Sequence, residues 1–410
     1  MSAPVIDRAG ALNVPHVARV SEPTHPDSPH HHGSHRALIG RIPVVSGVRA
    51  FDAIVVPTAR PAGYLRQAAS LAQRAGCALV VLCSGRARAG DVSGYRRAEP
   101  RLGLIAVDIP QAYSHPLLAF ATSASREALI ARDTDTSLKR NIGLLVARMA
   151  GWERIVFLDD DIAIPDPDDL GRAAALLDHF DTVSLSLGGY PDNSVVCHAH
   201  RIAGGHQETF VGGGAMAVAP GRTSSFFPNI YNEDWFFLLD DLQRRPVTVI
   251  GNAIQRAYDP FASPRRAVSE EFGDVLAEGI FWLLDQRRRV KDATPTYWAS
   301  FLTRRQLFIR DVTQRVQHHH DLDPILRRRM IDALTAAAER SAQISPESCA
   351  NFMRDWRADR TRWQRVMSTL PTDLAPNEAL AHLGLAAHRG SNLGALSRHR
   401  AQRAHATQTS

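Results

Sequence analysis

The chain has 410 residues, of which 44% are hydrophobic and 22% are charged, and its formal net charge is +6. This composition is ordinary for a soluble globular protein with a large core. No apolar stretch approaches the roughly 20 residues that cross a bilayer, and the N-terminus lacks an apolar signal core. Four cysteines lie far apart without metal-type pairing, which favours a reducing cytoplasm and argues against a zinc knuckle. We therefore expect a cytoplasmic protein.

The positive charge comes from arginine far more than from lysine. Arginine binds phosphates and carboxylates in two-pronged geometry, so an anionic substrate, a nucleic acid and a lipid headgroup all remain admissible partners. The basic clusters lie in segments with helical periodicity, where solvated helix faces are the usual explanation. Charge alone does not choose among these partners.

Residues 1–48 are rich in Pro, Ser, His and Gly and carry no sustained period, so they predict a mostly disordered N-terminal arm. Its histidines could hold a metal loosely, but the segment lacks a fixed scaffold and a flexible tail is the preferred interpretation. These residues are His30, His31, His32 and His35. The same interpretation applies to the run His318, His319 and His320.

Residues 49–294 alternate apolar runs with helical stretches. The predicted strands are 53–56, 78–83, 102–107, 155–158, 182–187, 215–219 and 247–250. The predicted helices are 63–76, 137–150, 170–180, 235–242 and 269–284. Such alternation predicts an open α/β sheet with right-handed crossovers, whose ligands bind beyond the carboxyl ends of the strands. The stretch between 188 and 214 is rich in loop residues.

Residues 295–370 contain no strand-like run and predict a helical extension of three helices, at 296–318, 321–344 and 346–368. The final segment, 371–410, is polar and predicts a flexible tail. An apolar stripe favours packing of the extension over the sheet, and it consists of Trp298, Phe301, Leu302, Leu307 and Phe308. The alternative is peripheral membrane contact through the arginine-rich helices, by Arg304, Arg305, Arg327, Arg328 and Arg329.

Three consecutive carboxylates, Asp159, Asp160 and Asp161, directly follow the apolar run 155–158. Because side chains alternate across a strand, Asp159 and Asp161 are expected on one face and Asp160 on the other. An Asp-x-Asp pair offers hard oxygen ligands that suit Mg²⁺ or Mn²⁺. An acidic turn that solvates the strand end is the alternative, and the triplet alone leaves both open.

Two helix starts carry charged residues. Lys139 and Arg140 lie near the start of a helix, where basic residues oppose the helix dipole and call for an anionic partner such as a diphosphate. Simple surface charge is the alternative. Glu233 and Asp234 precede a later helix, where acidic residues favour the dipole and capping alone explains them.

Taken together and in order, these motifs resemble the GT-A glycosyltransferases, especially the large inverting family that includes bacterial polysaccharide and galactofuranosyl transferases. The resemblance covers roughly residues 50–290. It rests on four motifs, which are Val55-Val56-Pro57-Thr58, Arg140-Asn141-Ile142-Gly143, Phe157-Leu158-Asp159-Asp160-Asp161, and Gly212-Gly213-Gly214-Ala215 followed by Asn232-Glu233-Asp234-Trp235.

The resemblance implies a GT-A-like, Rossmann-like, mixed and mainly parallel sheet that binds a nucleoside-diphosphate sugar and Mn²⁺ or Mg²⁺. It implies a metal site at Asp159 and Asp161 and a general base at Asp234, with Glu233 second. The implied donor-binding residues are Pro57, Thr58, Arg60, Lys139, Arg140, Asn141, Asp159 and Asp160. The implied acceptor-side residues are Gly213, Gly214 and Trp235. The acceptor would be a glycan, a lipid-linked molecule or a small molecule.

One position departs from that family, which often places a histidine before Pro-Phe to complete the metal shell. This chain has Asp259 before Pro260. Asp259 is either an oxygen ligand for a harder ion or a turn residue before proline, and both interpretations stay open. His198, His200 and His206 could touch the acceptor or the metal, although a surface loop is the preferred interpretation.

Two other functions remain as alternatives. A sugar-nucleotide mutase or a nucleotidyltransferase would keep the fold, but no Gly-rich, Arg/Lys-containing loop follows the first strand, which counts against the latter. A non-catalytic anion- or nucleic-acid-binding protein would use the basic helices. No nucleic-acid-binding motif is present, so no nucleic acid partner is expected.

Overall fold

The computed structural model describes residues 29–31, 47–125, 130, 134–190, 194–205, 211–239 and 247–389. Within these residues the strands are β1 (Ala53–Thr58), β2 (Ala78–Cys83), β3 (Gly103–Asp108), β4 (Ile155–Leu158), β5 (Ile162–Ala163), β6 (Thr182–Gly189), β7 (Ala215–Val218) and β8 (Val247–Gln255). The helices up to the end of the sheet region are α1 (Arg66–Ala75), α2 (Ala89–Val92), α3 (Tyr95–Ala98), α4 (Thr136–Met149), α5 (Asp168–Leu176), α6 (Val195–Ile202), α7 (Glu233–Phe237) and α8 (Pro264–Asp285). The remaining helices are α9 (Pro295–His318), α10 (Pro324–Gln343), α11 (Pro346–Thr369) and α12 (Pro376–His382).

The strands form one sheet in the order β3-β2-β1-β4-β7-β6-β8-β5. Strands β3, β2, β1 and β4 run parallel to one another, and β6 is parallel to β8. Strand β7 runs antiparallel between β4 and β6, and β5 is antiparallel to β8. The chain moves outward from β1 to β3 and then returns to β4 on the other side of β1. The predicted mixed, mainly parallel sheet is confirmed, and this reversal of strand order lies between β1 and β4.

Both faces of the sheet are covered, which explains the unbroken apolar runs of the central strands. In β1, Ala53 and Val55 belong to one buried apolar cluster, whereas Ile54 and Val56 belong to another on the opposite face. The first cluster contains α4 and much of α8 and α11, and the second contains α1 and α5.

The helical extension packs into the same core as the sheet. Trp298, Trp356 and Trp363 are fully buried and belong to the apolar cluster that also contains Val55. This burial favours the packing role over a membrane role for α9 and α11. Arg305, one of the arginines considered for membrane contact, is only 1% exposed and therefore cannot reach a membrane surface. No helix among the described residues is both long and apolar enough to cross a membrane.

Three segments differ from the sequence prediction. Helix α6 replaces part of the predicted loop, since the Ser194 side chain accepts a hydrogen bond from the Cys197 amide (3.3 Å) and starts a helix with a buried apolar side. The predicted flexible tail is wrong for residues 371–389. There Leu380, in α12, and Leu383, directly after α12, are both buried. Helix α7 ends at Phe237, whereas the prediction reached 242 and so extends outside the described residues. Most of the predicted N-terminal arm also lies outside them, and its disorder stays a prediction.

Candidate functional site

The candidate site lies where β1, β4 and β7 meet at one edge of the sheet. Val55 of β1 pairs with Phe157 of β4, so the two parallel strands end side by side. Strand β7 starts opposite the end of β4, with Ala215 paired to Leu158. This edge therefore collects the loop after β1, the acidic triplet after β4 and the glycines before β7.

The acidic triplet forms a turn and not a continuation of β4. The Ile162 amide donates to the Asp159 carbonyl (3.2 Å), and the Asp159 amide donates to the Gly214 carbonyl (2.8 Å). Strand β4 ends at Leu158, so strand alternation does not determine the directions of the Asp159 and Asp161 side chains. Asp159 contacts Arg140, while Asp160 and Asp161 both contact Arg60.

Arg60 ties the loop after β1 to the triplet. Its guanidinium forms a short ion pair with Asp160 and a second ion pair with Asp161 (2.8 Å). The Thr58 hydroxyl donates to the other oxygen of Asp160 (2.5 Å). Asp160 is buried, so these two donors compensate for the loss of hydration of its carboxylate. Pro57, by contrast, is buried inside β1 opposite Leu82 and does not line the open edge.

Arg140 joins the triplet to the later acidic motif. Its guanidinium donates to both carboxylate oxygens of Asp159 (2.9 and 3.0 Å) and to Glu233 (2.9 Å). The side chain is 3% exposed. Burial lowers the pKa of Arg140, but the charges of Asp159, Glu233 and Asp234 outweigh burial and raise it above its ordinary value. Arg140 therefore remains a fixed cation that two acidic segments share.

Lys139 is held by three oxygen atoms at the same edge. Its Nζ lies 2.8 Å from an Asp135 carboxylate oxygen, and it donates to the Thr58 carbonyl (2.8 Å) and the Ser84 hydroxyl (2.7 Å). Burial lowers its pKa, and Asp135 acts in the opposite direction. Sequence reasoning missed Ser84, although it directly follows β2 and so lies at the same edge of the sheet.

Asn141, expected to bind the donor, has a structural role in this fold. Its side-chain amide donates to the Phe227 carbonyl (2.8 Å), and its side-chain oxygen accepts from the Phe227 amide (2.8 Å). Both polar ends of a buried side chain are thus satisfied by backbone. Asn141 fixes the segment after β7 against α4.

The acidic motif at the start of α7 reaches the glycine segment. Asp234 accepts hydrogen bonds from the Gly213 amide (2.6 Å) and from the Trp235 amide (3.0 Å). A Cβ atom on Gly213 would lie 2.7 Å from an Arg140 nitrogen and 2.9 Å from the Asp234 Cβ, so this position requires glycine. Glu233 is buried, whereas Asp234 is only half-buried.

The two remaining acceptor-side candidates contribute backbone and packing. The Gly214 carbonyl accepts a hydrogen bond from the Asp159 amide, and a Cβ atom added to Gly214 would lie 3.3 Å from Ile162. Trp235 is 8% exposed and packs edge-to-face on Phe281, with ring centroids 5.2 Å apart. Its ring therefore supports α7 and does not present a stacking surface.

The chemistry of the triplet fits a hard divalent cation. Burial raises the pKa of Asp159 to about 7, Arg140 opposes this rise, and the charge of Asp161 adds to it. A cation would relieve both burial of charge and repulsion between the carboxylates. The side chains of Asp159 and Asp161 are 26% and 15% exposed, so both reach the edge. Arg60 and Arg140 draw the carboxylates in different directions, and the triplet does not converge as a ready ligand cluster among the described residues.

Asp259, the doubtful member of the metal shell, makes other contacts. Its carboxylate forms a short ion pair with Arg329 and accepts a hydrogen bond from the Phe261 amide (3.0 Å). The second contact, two residues along the chain, is the signature of an Asx turn before proline. These contacts favour the turn interpretation.

His198 and His200 lie on α6 and are buried, so the surface-loop interpretation is wrong for both. His198 Nε2 is 2.8 Å from the Tyr258 hydroxyl, and its ring stacks on Tyr190 with centroids 5.1 Å apart. Burial lowers the pKa of His198 to about 3, so its imidazole is neutral. His206 lies outside the described residues.

Tyr64 and Arg256 complete the rim of the site and were missed by sequence reasoning. Tyr64 is 39% exposed, and the guanidinium carbons of Arg60 and Arg256 lie 5.6 and 5.7 Å from its ring centroid. The Arg256 amide donates to the Asp161 carbonyl (3.0 Å). Their positions in the sequence could have indicated them, because Tyr64 comes shortly after β1, Arg256 directly follows β8, and both strands end at this edge of the sheet.

No protein-family model matches the chain, and no curated protein does. Among solved structures, the chain is similar to the mannosyltransferase PcManGT from Pyrobaculum calidifontis, determined in complex with GDP-Man and Mn²⁺. The sequences are 14% identical, the match covers 78% of this chain and 86% of that chain, and the TM-score is 0.37. A TM-score this low carries no argument about function. The functional conclusion therefore depends on the motifs and geometry of this chain.

Proposed function

We propose that the chain is a metal-dependent glycosyltransferase that moves a sugar from a nucleoside-diphosphate sugar to an acceptor hydroxyl with inversion. One observation carries the proposal. The four motifs that resemble the GT-A family come together at one edge of the sheet, where Arg140 bridges Asp159 and Glu233. Long-range ion pairs link segments that are far apart in sequence, as a shared binding site requires.

The donor would bind at the loop after β1. Asp159 and Asp161 would hold Mn²⁺ or Mg²⁺, which would neutralise charge on the departing diphosphate. Arg60 is the basic side chain best placed to leave the carboxylates for phosphate, since it is 38% exposed. Lys139 is fixed by three oxygen contacts and would act as a buried positive charge beneath the loop. The exposed Tyr64 ring would offer a stacking face to the nucleotide base.

The acceptor would be activated by Asp234. In the transfer, the acceptor oxygen attacks the anomeric carbon, the bond from that carbon to the diphosphate breaks, and the acceptor proton passes to the Asp234 carboxylate. Asp234 suits this role better than Glu233, because Glu233 is buried and ion paired with Arg140. The two backbone amides on Asp234 hold its carboxylate in a fixed orientation.

The experiment is product analysis with a panel of nucleoside-diphosphate sugars and Mn²⁺, with the parent chain and the Asp234→Asn variant. The parent should release nucleoside diphosphate and form a glycoside of opposite anomeric configuration. Asp234→Asn should bind nucleotide normally but transfer at least about 100-fold more slowly, because general base catalysis contributes on that scale. Full transfer activity in Asp234→Asn would contradict its assignment as base. An isomerised nucleotide sugar would instead identify a mutase. Formation of nucleoside triphosphate and sugar 1-phosphate when pyrophosphate is added would identify a nucleotidyltransferase.

A further inference from the structure

We propose a second metal site, distinct from the acidic triplet, in which His31, Cys197 and Glu278 bind one Zn²⁺ ion. The three residues come from different parts of the chain, namely the N-terminal arm, α6 and α8. Their donor atoms all lie within 4.8 Å of one another. Among the described residues, this group alone gathers three such donor atoms so closely.

The spacing around the sulfur matches a tetrahedral zinc shell. Cys197 Sγ lies 3.7 Å from His31 Nε2 and 3.6 Å from Glu278 Oε1. Zinc–sulfur and zinc–nitrogen bonds of about 2.3 and 2.0 Å at a tetrahedral angle place the two donors about 3.5 Å apart. The two distances from the sulfur are therefore close to those that a bound ion requires.

Two of the ligands are rigidly placed. Cys197 and Glu278 are each 4% exposed, on helices α6 and α8. Arg305 lies 3.0 Å from the same Glu278 oxygen and would orient the carboxylate as an outer partner. A thiolate, an imidazole and a carboxylate together favour zinc over the harder ions expected at the aspartate triplet.

The surrounding charge also favours a cation. Helix α8 buries four carboxylates, of which Arg305 forms ion pairs with three and Arg266 with the fourth. Buried carboxylates that outnumber their arginines carry a desolvation cost that a divalent cation would offset. These carboxylates are Glu270, Glu271, Asp274 and Glu278.

The third ligand, His31, is seated by independent contacts. Its ring stacks on Phe308 of α9, with centroids 4.4 Å apart and planes 5° apart, and it meets the His200 ring edge-on at 4.9 Å. The Arg304 guanidinium donates to the Pro29 carbonyl (2.9 Å). A metal at this point would fasten the N-terminal arm to α6, α8 and α9.

The test is the zinc content of the tag-free, full-length chain after dialysis, measured by mass spectrometry, together with Co²⁺ substitution. The parent should retain one Zn²⁺ per chain, and its Co²⁺ form should show thiolate-to-cobalt charge-transfer absorption. Cys197→Ser and His31→Ala should each lose the ion. Loss of a residue that only orients a ligand lowers metal affinity roughly 10- to 100-fold, and loss of a ligand itself should lower it by more than that.

Matched controls exclude adventitious binding. A variant with His30, His32 and His35 all changed to Ala should keep zinc, and so should Cys349→Ser, which removes another buried thiol. Asp161→Asn should also keep zinc, which separates this site from the proposed donor site. His31→Ala alters only the arm, so it tests the site even if Cys197→Ser fails to fold. A parent chain without zinc, or equal zinc in the parent and His31→Ala, would overturn the proposal.

Discussion

Arg140 holds the candidate site together at the level of single residues. One buried guanidinium contacts Asp159 from the β4 turn and Glu233 from α7, which are 74 positions apart in the sequence. The sequence motif predicted a basic residue that binds a diphosphate. The structure gives Arg140 a carboxylate on each side, so its first role is to position acidic residues.

Replacing Arg140 with Met should destabilise the fold and abolish nucleotide binding. Removal of one partner from a buried ion pair costs about 3–5 kcal/mol, and partial exposure of Asp159 places the expected loss at the lower end. Chemical unfolding measures the free energy. The control is Arg328→Met. The Arg328 side chain is 79% exposed, so its ion pair with Asp332 should contribute little to the free energy of unfolding. Equal stability of the two variants would show that the Arg140 bridge is unimportant.

Glu270 should give the protein a measurable pH dependence. Burial raises its pKa to about 7 from the ordinary value of 4.5, more than Arg266 lowers it. The folded chain then keeps a proton that the unfolded chain releases, so this contribution to stability is full below pH 4.5 and is lost as pH rises through 7. Glu270→Gln should flatten that decline in unfolding experiments across the interval, whereas Glu347→Gln on the exposed start of α11 should not. An unchanged slope in Glu270→Gln would refute the assignment.

At the scale of elements, α4 reaches the site because a glycine faces the sheet. A Cβ atom on Gly143 would lie 2.8 Å from Val55 and 3.2 Å from Phe157, so a larger residue would push the helix away from β1 and β4. Lys139 and Arg140 are one turn earlier on the same helix. The packing of this helix therefore sets the position of both basic residues.

Gly143→Ala should cost about 1–3 kcal/mol of stability, as overpacked cores do, and should weaken nucleotide binding as well. The control is Gly221→Ala, an exposed position away from the site where an added Cβ meets only an Arg148 nitrogen, at an ordinary contact distance of 3.7 Å. Unfolding free energies and nucleotide affinities of both variants give the comparison. If Gly143→Ala matches Gly221→Ala in both measurements, α4 does not position the site in this way.

Elements with a strong local pattern were predictable. The central strands are continuous apolar runs because both faces of the sheet are covered, and the three long helices of the extension start at Pro295, Pro324 and Pro346, close to the predicted limits. Helix α6 was not predicted, since its signal is one capping serine after a glycine-rich stretch. The acidic triplet was placed correctly at the end of β4, but its side-chain directions depend on a turn that alternation cannot foresee.

At the scale of the whole molecule, the site results from strand order. The chain leaves β1 in one direction and returns to β4 in the other, which brings Thr58 and Asp160 into contact across 102 residues. The motif order predicted which segments would meet. The ion-pair partners within the site were not predictable, because tertiary packing determines which of the three adjacent carboxylates Arg60 and Arg140 each contact. The burial of Arg305 among the carboxylates of α8 was likewise invisible in an arginine-rich helical pattern.

The central claim is that the acidic triplet binds a nucleoside diphosphate through a divalent cation. The most direct measurement is thermal unfolding with nucleoside diphosphates, with and without Mn²⁺, for the parent chain, Asp161→Asn and the exposed control Asp166→Asn. Ligand at about 100 times its Kd stabilises the native state by about 2.7 kcal/mol. We predict a Mn²⁺-dependent rise in Tm for the parent and Asp166→Asn, and its loss in Asp161→Asn. A parent chain that gains nothing from Mn²⁺ and nucleotide, or an undiminished gain in Asp161→Asn, would contradict the account.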